Sequence, residues 1–406
     1  VLFQTLDDKT ECVGIYTDNS LIFDPDDFPD RLSKTWKYSS YLRGMDVEYA
    51  SLYLEGKLIS DIIPEYLKDD WDDVSRKINA FKRSLAISQV NTNENCFFDL
   101  VPDRFLMEFC EVKNKITDYV LKNTEKPQRY EFYKHVAMML EDQGHHRVTL
   151  NRSKISSYLQ SPKLKNHAKT LLAAEPCVKY NQFGTKTGRL TSKKGTIPIL
   201  TLSKEFRSAI EPQNDYYIEF DFNGAEVRTL LGLLNKPQPE GDVHDFHLQE
   251  IFTKINNRSD AKVAFFAWLY GSKSAADVTE MKKLASFYEK DKLLEKYWDG
   301  NTVRTPFKKV IKDTTEHHAL NYLVQSTAAE LALKQALKIE YLLRTQGRGS
   351  HIAFLIHDAI VVDMKKEDEH LVKSLTKLMS STNFGEFVVN VKKGKTLGSM
   401  KGIDVG

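Results

Sequence analysis

The chain has 406 residues, 41% of them hydrophobic and 28% charged, close to the globular average and long enough for two or three domains around a large core. No run approaches the roughly 18 apolar residues of a membrane span, which excludes a spanning helix. The four cysteines, Cys12, Cys96, Cys110 and Cys177, are far apart and lack metal-ligand spacing. Neither a disulfide framework nor a zinc site is expected, and a reducing, cytoplasmic setting fits. Net charge is only +2, but it is unevenly spread: residues 179 to 207 hold seven Lys and Arg against one Glu, whereas residues 1 to 75 hold 17 Asp and Glu against 7 Lys and Arg. The first segment suits a phosphate-bearing partner and the second repels one.

Residues 1 to 23 read as short strands around an Asp18-Asn19 turn, opening a small α/β domain. A proofreading exonuclease needs an Asp-x-Glu pair on its first strand to hold metal. Asp7, Asp8 and Glu11 do not form one. The acidic surface suits a docking partner or a plain solvated face. From Asp103, placed as an N-cap, Phe105, Phe109, Val112, Ile116 and Tyr119 recur at three and four and predict a helix. A second helix is expected over 129 to 142 and a third over 154 to 174, interrupted near Pro162.

At residue 180 the chain turns glycine-rich and basic, with Lys186, Thr187, Gly188, Arg189, Leu190 and Lys193 in one short stretch. Such a loop can track a phosphate chain through freed amides and cations, or it can be a solvated turn. A strand over Tyr216–Phe222 then carries Asp221 at its end, beside an Asn223-Gly224 turn and a helix from Ala225. A carboxylate held rigidly at a sheet edge is a metal-ligand position. Glu226, three residues after Asn223, also fits a capping box. Further on, Arg258, Lys262, Phe266 and Tyr270 stand at intervals of four before Gly271. On a helix each such step turns about 40° and rises about 6 Å, giving one stripe with two cations leading and two rings following. The stripe suits a polyphosphate and a stacked base, and equally an amphipathic core helix with a glycine stop. Last, residues 351 to 364 are two apolar strands broken by His357 and Asp358, a hairpin with that pair at its tip. A lone aspartate there is a turn former. Two strand-end carboxylates from distant segments, Asp221 and Asp358, can instead meet on one sheet and share divalent ions.

Taken in order, Thr187-Gly-Arg-Leu190, Asp221-Phe-Asn-Gly-Ala-Glu226-Val-Arg228, Arg258 to Gly271, and His357-Asp358 resemble the motifs of the family A, polymerase I-type DNA polymerases, most closely their compact phage members. The resemblance covers roughly residues 100 to 406. It implies an α/β (α+β) right-hand architecture: a small acidic N-terminal domain over 1–100 without intact exonuclease motifs, a thumb over 101–178, palm over 179–240 and 320–406 with an antiparallel sheet, and helical fingers over 241–319. By the same resemblance Asp221, Asp358 and the Phe222 backbone carbonyl hold two Mg²⁺, for which Mn²⁺ can substitute. Arg258, Lys262 and His244 take the triphosphate, with Lys262 placed to protonate the leaving pyrophosphate. Phe266 and Tyr270 then enclose the base and sugar, and Glu226 acts as a steric gate against a ribose 2′-hydroxyl. Lys186, Thr187, Arg189, Lys193, Arg207, Asn321, Gln325 and His357 fall to primer-template contacts. The implied protein is a monomeric DNA polymerase using dNTPs, without its own proofreading, working in phage DNA replication in the bacterial host cytoplasm, with a separate exonuclease or replication factor as a possible partner.

The chain departs from the family pattern in several places. Family motif C is usually His-Asp-Glu, and here the third residue is Ala359, which predicts weaker metal binding because Asp363 lies too far along the strand to substitute. His317 stands where an Arg is common. Motif A carries Phe222, Asn223, Gly224 and Ala225 in place of Tyr, Ser, Gln and Ile, and the fingers are short after Gly271. A single-subunit RNA polymerase shares the aspartate pair and the Lys-bearing helix, but Glu226 and the Thr187 block count against it. A catalytically weak, polymerase-derived DNA-binding or docking protein is the other alternative, supported by Ala359.

Overall fold

The computed structural model describes residues 1–8, 13–92, 94–271 and 278–405. Two compact units make up the chain, Val1–His145 and His146–Gly406. Among the described residues no helix is long and apolar enough to cross a membrane.

In the first unit, strands β1 (Gln4–Thr5), β2 (Ile15–Thr17) and β3 (Ser20–Ile22) form an antiparallel sheet. Asp18 and Asn19 both adopt positive φ, +47° and +58°, the left-handed pair that a two-residue hairpin turn demands. Helices α1 (Glu65–Ile87), α2 (Asp103–Asn123) and α3 (Tyr130–His145) complete the unit. Helix α2 begins one residue earlier than expected: Pro102 is the N-cap and Asp103 the first helical residue, because Pro102 cannot donate and is already extended. Its apolar stripe, with Phe105, Leu106 and Cys110, packs into one core with Leu6 and Tyr16. Residues 101–145 thus share their core with the N-terminal strands, and the boundary between compact units lies at 145/146.

Asp7 and Asp8 are engaged locally. Ser39 donates to Asp7 at 2.7 Å and the Phe97 N–H to Asp8 at 3.0 Å. Glu11 and Cys12 lie outside the described residues. Cys110 and Cys177 are free and buried, but Cys96 is disulfide-bonded. This corrects the expectation that no cysteine pairs, since cross-linking depends on Cα separation in the fold and not on spacing along the chain.

Lys113 of α2 is buried between two indoles, its Nζ 4.0 Å from the Trp36 ring centre and 5.0 Å from that of Trp71. Burial, with the Lys37 charge adding and Cys110 opposing, pushes its pKa down to about 7 from the ordinary 10.5. Between those values the unfolded chain binds the extra proton, so this group favours folding more as pH rises from 7 to 10.5. In urea titrations of the whole protein, the folding constant should rise by up to about tenfold per pH unit across that window. Lys113→Met should remove that slope. An identical slope in the variant would show that the ammonium is compensated elsewhere.

The second unit opens with short helices over Arg152–Ser157 and Lys165–Ala173, the third expected helix broken on either side of Pro162. A small hairpin, β4 (Tyr180–Asn181) and β5 (Thr191–Ser192), carries the basic loop. The hairpin is pinned through Tyr180, whose hydroxyl donates to the Leu355 carbonyl and accepts from the Leu355 N–H, both at 2.9 Å.

The central element is an antiparallel five-stranded sheet. Its strands are β6 (Tyr216–Phe222), β7 (His351–Ile356), β8 (Ala359–Met364), β9 (Val389–Gly394) and β10 (Lys401–Gly402), in the order β7-β8-β6-β9-β10. Tyr216–Phe222 is a run of large apolar and β-branched residues covered on both faces, which suits a central strand. Helices α4 (Ala225–Leu233), α5 (Val243–Glu250), α6 (Arg258–Leu269), α7 (Val278–Phe287) and the 31-residue α8 (Glu316–Gln346) pack around one core that includes Leu230, Phe265, Tyr288 and Leu323. Helix α8 packs against α4 and β7.

Candidate active site

The two strand-end carboxylates converge because of register. Asp221 of β6 lies opposite Ala359 of β8, which leaves Asp358 one residue beyond, at the tip of the β7–β8 hairpin. That tip is a two-residue turn in which His357 takes φ +59°. Burial pushes the Asp221 carboxyl up to about 6; Lys392 and Lys262 oppose this and Glu219 adds to it. Asp358 is pushed up to about 7, by burial first and then by the charges of Glu226 and Asp221. A cation between them would relieve this cost. Hard carboxylate oxygens suit Mg²⁺, which is commonly held by one or two carboxylates plus substrate phosphates. Among the described residues no group of three His, Cys, Asp or Glu side chains forms a closed metal cage. Phe222 buries its ring against Phe387, centroids 5.4 Å apart, which fixes the backbone just past Asp221. Asp363, at the far end of β8, accepts from the N–H groups of Gln213 (2.7 Å) and Asn214 (3.0 Å) and anchors that turn.

Glu226 is not the capping residue that its spacing allowed. Gly224 is the N-cap of α4, at φ +68°, and no side chain caps the helix. The Glu226 Oε1 instead accepts from Arg189 Nη2 at 2.6 Å, so the capping-box reading is overturned by a partner 37 residues away. Asn223 reaches forward: its Oδ1 accepts from the Val243 N–H at 3.1 Å and its Nδ2 donates to Asp242 at 2.9 Å. Arg228 is fully buried and donates to the carbonyls of Asn223, Pro239 and Gly241.

Helix α6 is capped by Asn257, which accepts from the Asp260 N–H, and its buried face is Ala261, Ala264, Phe265 and Leu269. The Arg258, Lys262, Phe266 and Tyr270 stripe lies off that face, with Lys262 exposed and Tyr270 38% exposed. It is therefore not the core side of the helix. Phe266 and Tyr270 stack with centroids 5.5 Å apart at 24°. Burial raises the Tyr270 pKa and Glu226 adds to this, while Arg189 and hydrogen bonding with Gln325 oppose it. Gly271 takes φ +68°, where a Cβ would strike the His317 ring.

His244 of α5 is buried, with its pKa pushed down to about 4, chiefly by burial. Its Nδ1 has no partner. Asn321 Oδ1 and Arg207 Nε are likewise buried without partners. Unmatched buried polar atoms are uncommon in native proteins. A cleft nearby is lined by Arg189, Glu226, Ala328, Ala332, His357 and Asp358 among others. Lys186 and Lys193 are exposed on the basic loop, whereas Thr187 is buried, its hydroxyl 3.4 Å from that of Thr185. The His357 pKa is lowered by burial first and then by the charges of Arg189 and Arg207, with Glu226 opposing.

Sequence reasoning missed the role of Asp242. It caps α5, accepting from the His244 (2.9 Å) and Asp245 (3.3 Å) N–H groups, and accepts from Arg258 at 2.6 Å. An Asp directly before a helix start is a readable cap signal; its pairing with Arg258 leaves no local trace.

The antiparallel sheet thus brings two carboxylates to adjacent strand ends, with the Lys262 charge of α6 acting on Asp221. The polymerase domain of Pol1 from M. smegmatis, solved with DNA primer-template and dNTP, shares this fold: TM-score 0.57 and 14% identity over 73% of this chain and 76% of that one. No family model matches the sequence. Similar proteins include DNA polymerase I of Caldicellulosiruptor bescii, 25% identical over 262 residues covering 52% of this chain and 31% of that protein, and DNA polymerase I of Aquifex aeolicus, 24% identical over 251 residues covering 52% and 43%. A thermostable DNA polymerase I from Thermus filiformis is 25% identical over 244 residues, 49% of this chain and 29% of that one. The chain is similar to these DNA polymerase I proteins over about half of its own length, and it spans less than half the length of each of them.

Proposed function

We propose that the protein is a template-directed DNA polymerase that extends a primer 3′-hydroxyl with dNTPs. The observation that carries this reading is the convergence of Asp221 and Asp358 at adjacent strand ends, faced by the Lys262 charge of α6. In this reading Asp221, Asp358 and the Phe222 carbonyl hold divalent cations. A divalent cation such as Mg²⁺ or Mn²⁺ held by these groups would supply charge neutralisation at the α-phosphoryl and a lowered pKa of the primer hydroxyl. Arg258 and Lys262 grip the triphosphate, and Lys262 donates a proton toward the leaving pyrophosphate. His244, neutral at pH 7 because burial disfavours its charged form, serves as a hydrogen-bond donor to phosphate oxygen. Phe266 and Tyr270 form an aromatic wall against the nascent base pair, and Glu226 blocks a 2′-hydroxyl. Arg189, Arg207, Asn321, Gln325 and His357 contact primer or template, while Lys186, Thr187 and Lys193 belong to the loop that follows its backbone.

Residues 101–178 serve as thumb, 241–319 as fingers, and 179–240 with 320–406 as palm. Asp7, Asp8 and Glu11 do not form an Asp-x-Glu pair, which is the ground for proposing a protein without its own proofreading exonuclease. The sequence motifs' resemblance to compact phage members is the sole support for proposing a role in phage genome replication within a bacterial host. The test is primer extension with Mg²⁺ and dNTPs on matched and mismatched termini. Matched primers should be extended, and mismatched ones neither trimmed nor efficiently extended. No extension at all would sink the polymerase reading, and removal of the mismatched base would refute the absence of proofreading.

A further inference from the structure

Arg258 is the first residue of α6, where the positive end of the helix dipole disfavours a cation. Its Nη2 is held by Asp242 Oδ2 at 2.6 Å. The two partners are held very differently. Asp242 also accepts from Asn223 Nδ2 and from the His244 and Asp245 N–H groups, and its side chain is only 19% exposed, against 51% for Arg258. Burial alone would raise the Asp242 carboxyl, but Arg258, Asn223 and the two amides hold it well below the usual carboxylate range. One partner is therefore an anion held by several donors and the other an exposed cation paired to it. Lys262, one turn along α6, is exposed.

We propose that Asp242 is a positioning residue that keeps Arg258 occupied as a stand-in for the incoming triphosphate and yields it when a nucleotide is bound. The inference rests on the reading of α6 as the triphosphate helix. It adds a partner exchange: the phosphates must win Arg258 from the carboxylate that holds it, so the ion pair raises the nucleotide concentration needed for binding. The clasp spans the site, because Asn223 lies two residues past Asp221 and Arg228 fixes the Asn223, Pro239 and Gly241 carbonyls around it.

The experiment compares wild type, Asp242→Asn, Arg258→Ala and the double variant in single-nucleotide extension with dATP on a primer-template, reading KM and kcat separately. Asn caps helices about as well as Asp, so Asp242→Asn removes the charge and keeps the fold; a melting curve checks this. The expected result is a KM lowered about three- to fivefold, the scale of an exposed ion pair, with kcat within about twofold. Arg258→Ala should raise KM, and adding Asp242→Asn to it should give no further gain. A purely structural Asp242 predicts an unchanged KM, which overturns the proposal. The same gain in the Arg258→Ala background also overturns it, because simple charge removal would then suffice. A wild type that extends and has a KM insensitive to Arg258→Ala ends this proposal and leaves the polymerase reading standing; a wild type that neither extends primers nor binds dATP ends both.

Discussion

Asp221→Asn and Asp358→Asn should each abolish primer extension, by about a thousandfold or more, while leaving the protein folded. Losing a metal-binding carboxylate removes several kcal/mol of charge stabilisation at the phosphoryl group, and roughly 1.4 kcal/mol corresponds to tenfold in rate. The same substitutions should stabilise the protein when no divalent cation is present. Asp358 is pushed up to about 7, chiefly by burial and by the neighbouring charges of Glu226 and Asp221. The unfolded chain titrates it near 3.8, so its ionisation favours the unfolded state increasingly as pH rises from about 4 to 7. Asn at 358 carries no such cost, and the variant should melt higher than wild type at pH 7 in chelator. Mg²⁺ should reverse the order, because an ion that binds only the folded site stabilises in proportion to its saturation. Melting curves with and without Mg²⁺ read this separately from activity. An Asp358→Asn variant that still extends primers, or a wild type whose melting is indifferent to Mg²⁺, would contradict the assignment of these carboxylates as a metal site.

The elements that position this pair were legible because each is written locally. Tyr216–Phe222 reads as a strand from its own run of residues, residues 351–364 read as a hairpin from one polar break, and α6 is bounded by Asn257 and Gly271. What escaped the sequence is long-range pairing between side chains. Arg189 and Glu226 are 37 residues apart and Asp242 and Arg258 are 16 apart; neither separation has a period that a helix or strand would impose. The capping-box expectation for Glu226 failed for that reason, since a distant guanidinium outcompetes a backbone amide for the carboxylate. The compact-unit boundary at 145/146 was hidden similarly. The stripe of α2 reads as amphipathic, but the sequence does not say that its partners are Leu6 and Tyr16.

Glu226→Ala should admit ribonucleotides, raising the rNTP to dNTP ratio of kcat/KM on the order of a hundredfold, the scale on which a pocket resolves one hydroxyl. Glu226→Gln separates shape from charge. Glutamine fills nearly the same volume, so a steric gate survives in it, whereas the pairing with Arg189 at 2.6 Å becomes a neutral hydrogen bond. If the gate is steric, the Gln variant retains dNTP preference and the Ala variant loses it. If Glu226 matters because it anchors Arg189, both variants should bind primer-template less productively and neither should change sugar choice. Stability divides the readings again. The pair is partly exposed, 34% for Arg189 and 12% for Glu226, so its loss should cost about 1 kcal/mol at most, and the cap of α4 is untouched because Gly224 supplies it. Both substitutions also remove a negative charge that raises the Asp358 pKa, so the pH dependence of extension should shift toward lower pH in the two variants alike. Unchanged sugar selection in Glu226→Ala, together with that shared pH shift, would make Glu226 an electrostatic partner of the catalytic pair and remove the steric gate from the mechanism.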